Sequence, residues 1–160
     1  MNLDQARQLV SQLGLQIGGD DQTYEMDEQG EAHFVFENRI GVMVKHHRTV
    51  LVLSCTVAEN ISDADPGLFS TLMGYQYMGL RTVGAVLSWN SDSDTLVLSR
   101  MLHGEPDATE LMQLLNLLLR TADVVREEIG PVLEGNFKFD DDELAPMPAQ
   151  DQGLSMFNRA

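Results

Sequence analysis

The sequence predicts an α+β fold: helix, three strands, helix, two strands, helix, with a twisted antiparallel sheet flanked by the helices. Three observations carry this. Apolar residues recur at helical spacing in three places only, near the N-terminus, around residues 66–78 and over residues 107–129. Short alternating or continuously apolar runs lie between them, separated by turn residues. The 160-residue length fits one domain able to bury a core without staples, and no internal repeat divides it.

The first helix is expected over about Asn2 to Leu13, where Leu3, Ala6, Leu9, Val10 and Leu13 form one stripe and Gly14 supplies a stop. Leu15 and Ile17 then lead into a polar turn at Gly18-Gly19-Asp20-Asp21. Ala32 to Glu37 reads as the first strand, with an extended piece near Thr23 to Met26 before it and a tight turn at Asn38-Arg39 after it. Ile40 to His46 is the second strand, with Ile40, Val42 and Val44 on one face. Thr49 to Val57 is the third. Its run Val50-Leu51-Val52-Leu53 is apolar on both faces and so suits the middle of a sheet.

A second helix is expected from Asp65, a capping residue, through Pro66 at the first helical position to Met78, with Gly79 closing it. Phe69, Leu72, Met73 and Gln76 are placed on one face, and Leu68, Tyr75 and Met78 elsewhere. A helix apolar on more than one side needs more than one neighbour, and in a chain this short the second neighbour can be another subunit. Thr82 to Asn90 and Thr95 to Leu102 form a hairpin around Ser91-Asp92-Ser93-Asp94. In the last helix Asp107 and Glu110 make a capping-box variant. Leu111, Leu115, Leu118, Ala122, Val125 and Ile129 form a heptad-like seam that Gly130-Pro131 ends. Composition changes after Gly135, so residues 1–135 are expected to form the domain and 136–160 an acidic, solvated tail around Asp140-Asp141-Asp142-Glu143.

Ten Lys and Arg stand against 25 Asp and Glu, a net charge of −15. This argues against direct nucleic-acid binding, whose affinity comes largely from basic side chains on phosphates, and against docking on an anionic membrane. It favours solubility and basic partners. Cys55 is the only cysteine, which excludes an internal disulfide and a cysteine zinc cluster. The N-terminus has no basic-then-apolar signal pattern and no run is long and apolar enough for a membrane span, so a cytosolic protein is expected.

No catalytic set emerges. His33, His46, His47 and His103 lack convergent spacing, and the adjacent pair His46-His47 points to opposite faces of a strand. Asn90, Asp92 and Asp94 alternate like the start of a calcium loop, but Thr95 and Met101 stand where glycine and glutamate are required. GxSxG is absent, and Gly18-Gly19 lacks the lysine of a phosphate loop. Cys55 lies in an apolar strand and reads as a small buried hydrophobe. Trp89, the only tryptophan, sits at a strand end, where partner contact and rim packing are both open. No metal and no cofactor is expected, and an enzyme is the remote alternative.

The wording of the second half resembles a known family. Leu72-Met73 on a helix, Thr82, Gly84-Ala85 and Leu87-Ser88, the acidic turn with Asp92 and Asp94, and Leu96-Val97-Leu98-Ser99-Arg100 before an acid-capped helix are similar to the Tir-chaperone family, the class I chaperones of bacterial type III secretion. Gln76 or Tyr77 stands where that family often has asparagine. From Asn2 to Ile129 the order of elements agrees, although the first half matches in order alone.

The resemblance implies a cytoplasmic homodimer. Such a dimer binds the N-terminal segment of a secreted effector in extended form and, without nucleotide, keeps it soluble and competent for export. Strand addition at a sheet edge and apolar pockets would carry the binding. Leu9, Leu13, Phe34, Phe36, Val42 and Val44 are the candidates for the effector patch. Phe69, Leu72, Met73, Gln76, Gly84 and Ala85 are the candidates for the dimer contact. Each apolar one among them is also what a core is made of, so their types alone leave burial and partner contact both open. The acidic tail is a candidate for contact with the export machinery. A same-fold adaptor that sequesters a small protein partner is the alternative.

Overall fold

The computed structural model describes residues 1–18, 24–36, 40–63 and 67–133. Their elements run α1 (Leu3–Gly18), β1 (Glu31–Val35), β2 (Gly41–His47), β3 (Val50–Glu59), α2 (Gly67–Gln76), β4 (Val86–Asn90), β5 (Thr95–Leu102) and α3 (Ala108–Leu133). Short 3₁₀ turns cover Ile61–Asp63 and Tyr77–Gly79. The five strands form one sheet in the order β1-β2-β3-β5-β4, antiparallel throughout. β3 is thus central, as its two-sided apolar run predicts. Asp65, Pro66, the Asn38-Arg39 turn and the tail lie outside the described residues, as do Gly19 to Thr23.

One face of the sheet carries the core. Phe34, Val42, Val44, Leu51, Leu53, Cys55, Leu96 and Leu98 are all buried there, packed with Ala6, Val10 and Leu13 of α1. The seam of α3 closes the layer, with Leu111, Leu115, Leu118, Ala122, Val125 and Ile129 buried. Burying one such side chain contributes roughly 1.5–3 kcal/mol, so the shared layer of α1, α3 and the sheet dominates stability. The capping box forms as predicted: the Asp107 N–H donates to Glu110 Oε2 at 3.2 Å, and the Glu110 N–H to Asp107 Oδ1 at 2.8 Å.

Three local expectations change. Helix α1 runs through Gly14 to Gly18 instead of stopping at Leu13. Gly14 answers a different need: a Cβ there would lie 2.8 Å from Tyr24 Cβ, so the glycine lets Tyr24 close on the helix. Tyr24 in turn stacks on Phe34 with ring centroids 4.7 Å apart. Strand β4 begins at Val86, so Thr82 to Ala85 form a turn, not strand. Helix α3 continues past Gly130 to Leu133 with Pro131 inside its last turn.

The central strand carries an irregularity. Register shifts between Thr56 and Ala58, where β3 bulges against β5. Arg126 of α3 answers it, its Nη2 donating to the Thr56 carbonyl at 2.7 Å and its Nε to the Val57 carbonyl at 3.2 Å. Charged donors thus satisfy two carbonyls at the bulge.

Candidate protein-binding surface

Helix α2 is apolar on two sides, and the structure separates them. Leu68, Leu72 and Tyr75 turn inward and are buried. Phe69 and Met73, one helical turn apart, point out, and Tyr77 and Leu80 continue that side. Met73, Tyr77 and Leu80 are 73%, 71% and 73% exposed. Val83, Val86 and Trp89 are exposed as well, Trp89 on the core-facing side of edge strand β4 opposite Leu96 and Val86 on its other side opposite Ser99. Seven of the eleven large hydrophobic side chains exposed among the described residues therefore fall between Phe69 and Trp89. Isolated exposed hydrophobics need no explanation, but seven within one helix–turn–strand unit mark it as a candidate interaction surface.

The group lies beside an open strand edge. Among the described residues β4 pairs with β5 alone, so its other edge, the Leu87 N–H apart, offers unpaired backbone groups. Gln76 ties α2 to this strand, its Oε1 accepting the Leu87 N–H at 3.0 Å. Phe69 meets Trp89 edge to face at 5.8 Å. Trp89 is aimed in turn by Asp94, whose Oδ1 accepts its indole N–H at 3.1 Å and the Ser62 N–H at 3.0 Å. The Ser62 hydroxyl donates to Asp94 Oδ2 at 2.7 Å. Hydrogen bonding from Ser62, and less so from Trp89, holds the Asp94 carboxyl below its ordinary pKa.

The predicted dimer residues divide accordingly. Phe69 and Met73 lie outward on the exposed surface. Leu72 and Ala85 are buried within their own chain, so Leu72 belongs with Leu68 and Tyr75, not with Phe69. Gln76 is engaged with β4, and Gly84 sits exposed in the turn that precedes it. Sequence reasoning missed Tyr77, Leu80, Val83 and Val86; the signal was present in the apolar residues of YQYMGLRTVGAV after the helix.

The predicted effector residues sit elsewhere and deeper. Leu9, Leu13, Phe34, Val42 and Val44 are buried in the core, and only Phe36 is half-buried. Leu9 also lines a shallow hollow with Gln5, Gln8, Gln12 and Pro106. The surface above these residues is the outward side of edge strand β1, with His33 and Val35, continued by Met43, Val52, Val97 and Met101 across the sheet.

No metal-binding group of three or more His, Cys, Asp or Glu occurs among the described residues. Burial pushes the Cys55 thiol up to about 11, so at neutral pH it stays protonated and a poor nucleophile. Among the described residues no helix is long and apolar enough to cross a membrane. What the geometry offers is surface: an open strand edge, an apolar helix face beside it and a second open edge across the sheet.

The sequence profile of the Tir chaperone protein (CesT) family matches residues 8–126, from α1 into α3. The chain belongs to that family.

No curated protein matches this CesT-family chain by sequence. Among solved structures it is similar to one of the ExsC-ExsE complex, at 17% identity and a TM-score of 0.67, covering 78% of this chain and 93% of that one. It is also similar to one of the HopA1-SchA chaperone-effector complex, at 16% identity and TM-score 0.64, covering 79% and 98%. A third is the Yersinia pestis type III secretion chaperone SycH in complex with a fragment of YscM2, at 17% identity and TM-score 0.56, covering 74% and 98%. At these identities the likeness is one of fold: the α+β architecture is that of the type III secretion chaperones.

Proposed function

We propose that this CesT-family protein is a non-enzymatic chaperone of type III secretion, acting in the bacterial cytoplasm as a homodimer. It binds the N-terminal segment of a secreted effector in extended form and keeps it soluble and export-competent. The observation that carries the reading is the concentration of exposed apolar residues from Phe69 to Trp89 beside the open edge of β4, on a domain of this family. An acidic domain gains nothing from leaving that surface in water, and a second copy of the same surface is its natural complement in a two-fold dimer.

The effector route is proposed on the other edge. An extended segment adds to β1 through backbone hydrogen bonds, and Val35, Phe36 and Met43 give its side chains apolar footing. Leu9, Leu13, Phe34, Val42 and Val44 support this route from beneath, and an effector that reached them would have to open the core.

Light scattering tests the dimer: a mass near twice 17.8 kDa is expected, and a strict monomer sinks this half of the reading. Met73→Asp with Val86→Asp should give a folded monomer. Purification from the native host tests the cargo, and should bring down a larger protein through its N-terminal region without metal or nucleotide. Val35→Asp with Phe36→Asp should lose that partner while remaining dimeric. A small regulatory protein as the only partner would favour the adaptor.

A further inference from the structure

The turn between α2 and β4 is held in a conformation its residues disfavour. Val83 has φ +51°, left-handed backbone that a β-branched side chain rarely adopts. The neighbouring Gly84 and the earlier Gly79 have φ +80° and +64°. Thr82 is buried, and its hydroxyl has no hydrogen-bond partner among the described residues. A buried hydroxyl without a partner opposes the fold that buries it. Thr and Val both favour strands, and both sit here in a turn.

Strand β5 has room for them. β4 pairs with β5 from Asn90 opposite Thr95 to Val86 opposite Ser99, and there it stops. β5 continues through Arg100 and Met101 to Leu102, paired on its β3 side alone. A cleft of about 480 Å³ opens against Arg100, Met101, Leu102 and His103, walled by Pro106, Glu110 and Leu114. Continuing the existing register would set Ala85 opposite Arg100, Gly84 opposite Met101, Val83 opposite Leu102 and Thr82 opposite His103. Val83 would then share the inward face with buried Leu102, and Gly84 the outward face with Met101.

We propose that Thr82–Ala85 is a two-state segment. In one state it is the turn described above; in the other it extends β4 and pairs with Arg100–His103. The chain length permits both. Four added strand residues carry Thr82 roughly 13 Å beyond Val86. Unwinding the 3₁₀ turn at Tyr77–Gly79 frees residues 77–81, which span up to about 17 Å, so Gln76 keeps its bond to Leu87.

The turn is held by three hydrogen bonds that the extension gives up. They run from the Gly84 N–H to the Gly79 carbonyl at 2.9 Å, from the Ala85 N–H to the Thr82 carbonyl at 2.9 Å, and from Arg100 Nη1 to the Val83 carbonyl at 3.0 Å. The surface pair of Arg81 with Glu128 at 3.6 Å also breaks. Ladder bonds to β5 replace them, and Val83 returns to ordinary strand backbone. The extended form offers a longer edge, so a strand pairing with β4 favours it. That coupling rests on the dimer proposed beside the β4 edge; the exchange between the two forms does not.

Nuclear magnetic resonance on the full chain tests this with two substitutions of opposite sense. Val83→Gly removes the left-handed penalty and favours the turn. The Ala85 amide, which in the extended form faces away from β5 as that of Leu87 does, should then exchange with solvent roughly tenfold more slowly than in the unsubstituted chain. Gly84→Val makes the left-handed turn costly and favours the strand, and should bring residue 84 into backbone contact with Met101. If the Gly84→Val chain folds and shows no such contact, the extended form does not exist. If that variant does not fold, the Val83→Gly chain decides, and unchanged exchange at Ala85 overturns the proposal.

Discussion

The half of the domain built from α1 and β1–β3 and the half built from α2 and β4 use their apolar residues differently. In the first, Leu9, Leu13, Phe34, Val42, Val44 and Leu53 all close on one another, and the large hydrophobics left outside are few. In the second, α2 buries one apolar side and exposes another, and five-residue β4 has no fully buried side chain. The same density of apolar residues is consumed within the chain in one half and left over in the other. The lesson is that composition measures how much burial a segment wants, while topology decides whether its own chain can supply it. An edge strand with one helix beside it cannot, and a central strand under two helices can.

Truncation inside the first half should have the largest effect. Phe34 is 1% exposed and stacked on Tyr24, so Phe34→Ala is expected to cost about 3–5 kcal/mol, read as a fall in the chemical-denaturation midpoint. Met73→Ala, of similar chemistry but in the second half, should change stability by less than about 0.5 kcal/mol, read the same way, when both proteins are compared as monomers. Equal losses at the two sites would erase the contrast.

A smaller effect sharpens the picture of the first half. Gly14→Ala should destabilise by about 1–3 kcal/mol despite alanine's better helix propensity, because the new methyl meets Tyr24 Cβ rather than a mobile side-chain tip. A gain in thermal stability would mean Tyr24 gives way freely.

The smallest effect belongs to the second half and depends on pH. The folded-state pKa of Asp94 lies below its ordinary 3.8, so the stability it contributes is present above that value and is lost as pH falls through the depressed one. Acid titration should therefore release Trp89, and the fluorescence of this single tryptophan should report it. Asp94→Ala should remove that step of the titration. Should the step persist in the variant, another carboxyl controls the tryptophan.

Much of this architecture was legible in the chain. Thr95 to Leu102 as a strand, the Asp107–Glu110 box and the seam of α3 depend on residues near one another in sequence, and the structure has them as read. The departures depend on distant partners. Gly14 looks like a helix stop until Tyr24 is seen against it. Leu72 and Phe69 cannot be assigned inside or outside from a short helix whose two sides are both apolar, because the phase is set by α3 and β4. Thr82 and Val83 carry strand propensity, yet Gly79 and Arg100 hold them in a turn. The candidate surface was half legible for the same reason: its helix was visible, while its continuation through Tyr77, Leu80, Val83 and Val86 required knowing which strand lies at an edge.

The clasp of Arg126 on the bulge of β3 reaches across 70 residues of sequence to Thr56. During synthesis at roughly 5–20 residues per second, about 4–14 s separate the two ends of that clasp. For that interval β3 exists without the helix that covers it. A nascent chain in that state is the form most exposed to wrong association, and the clasp marks the moment at which the exposure ends.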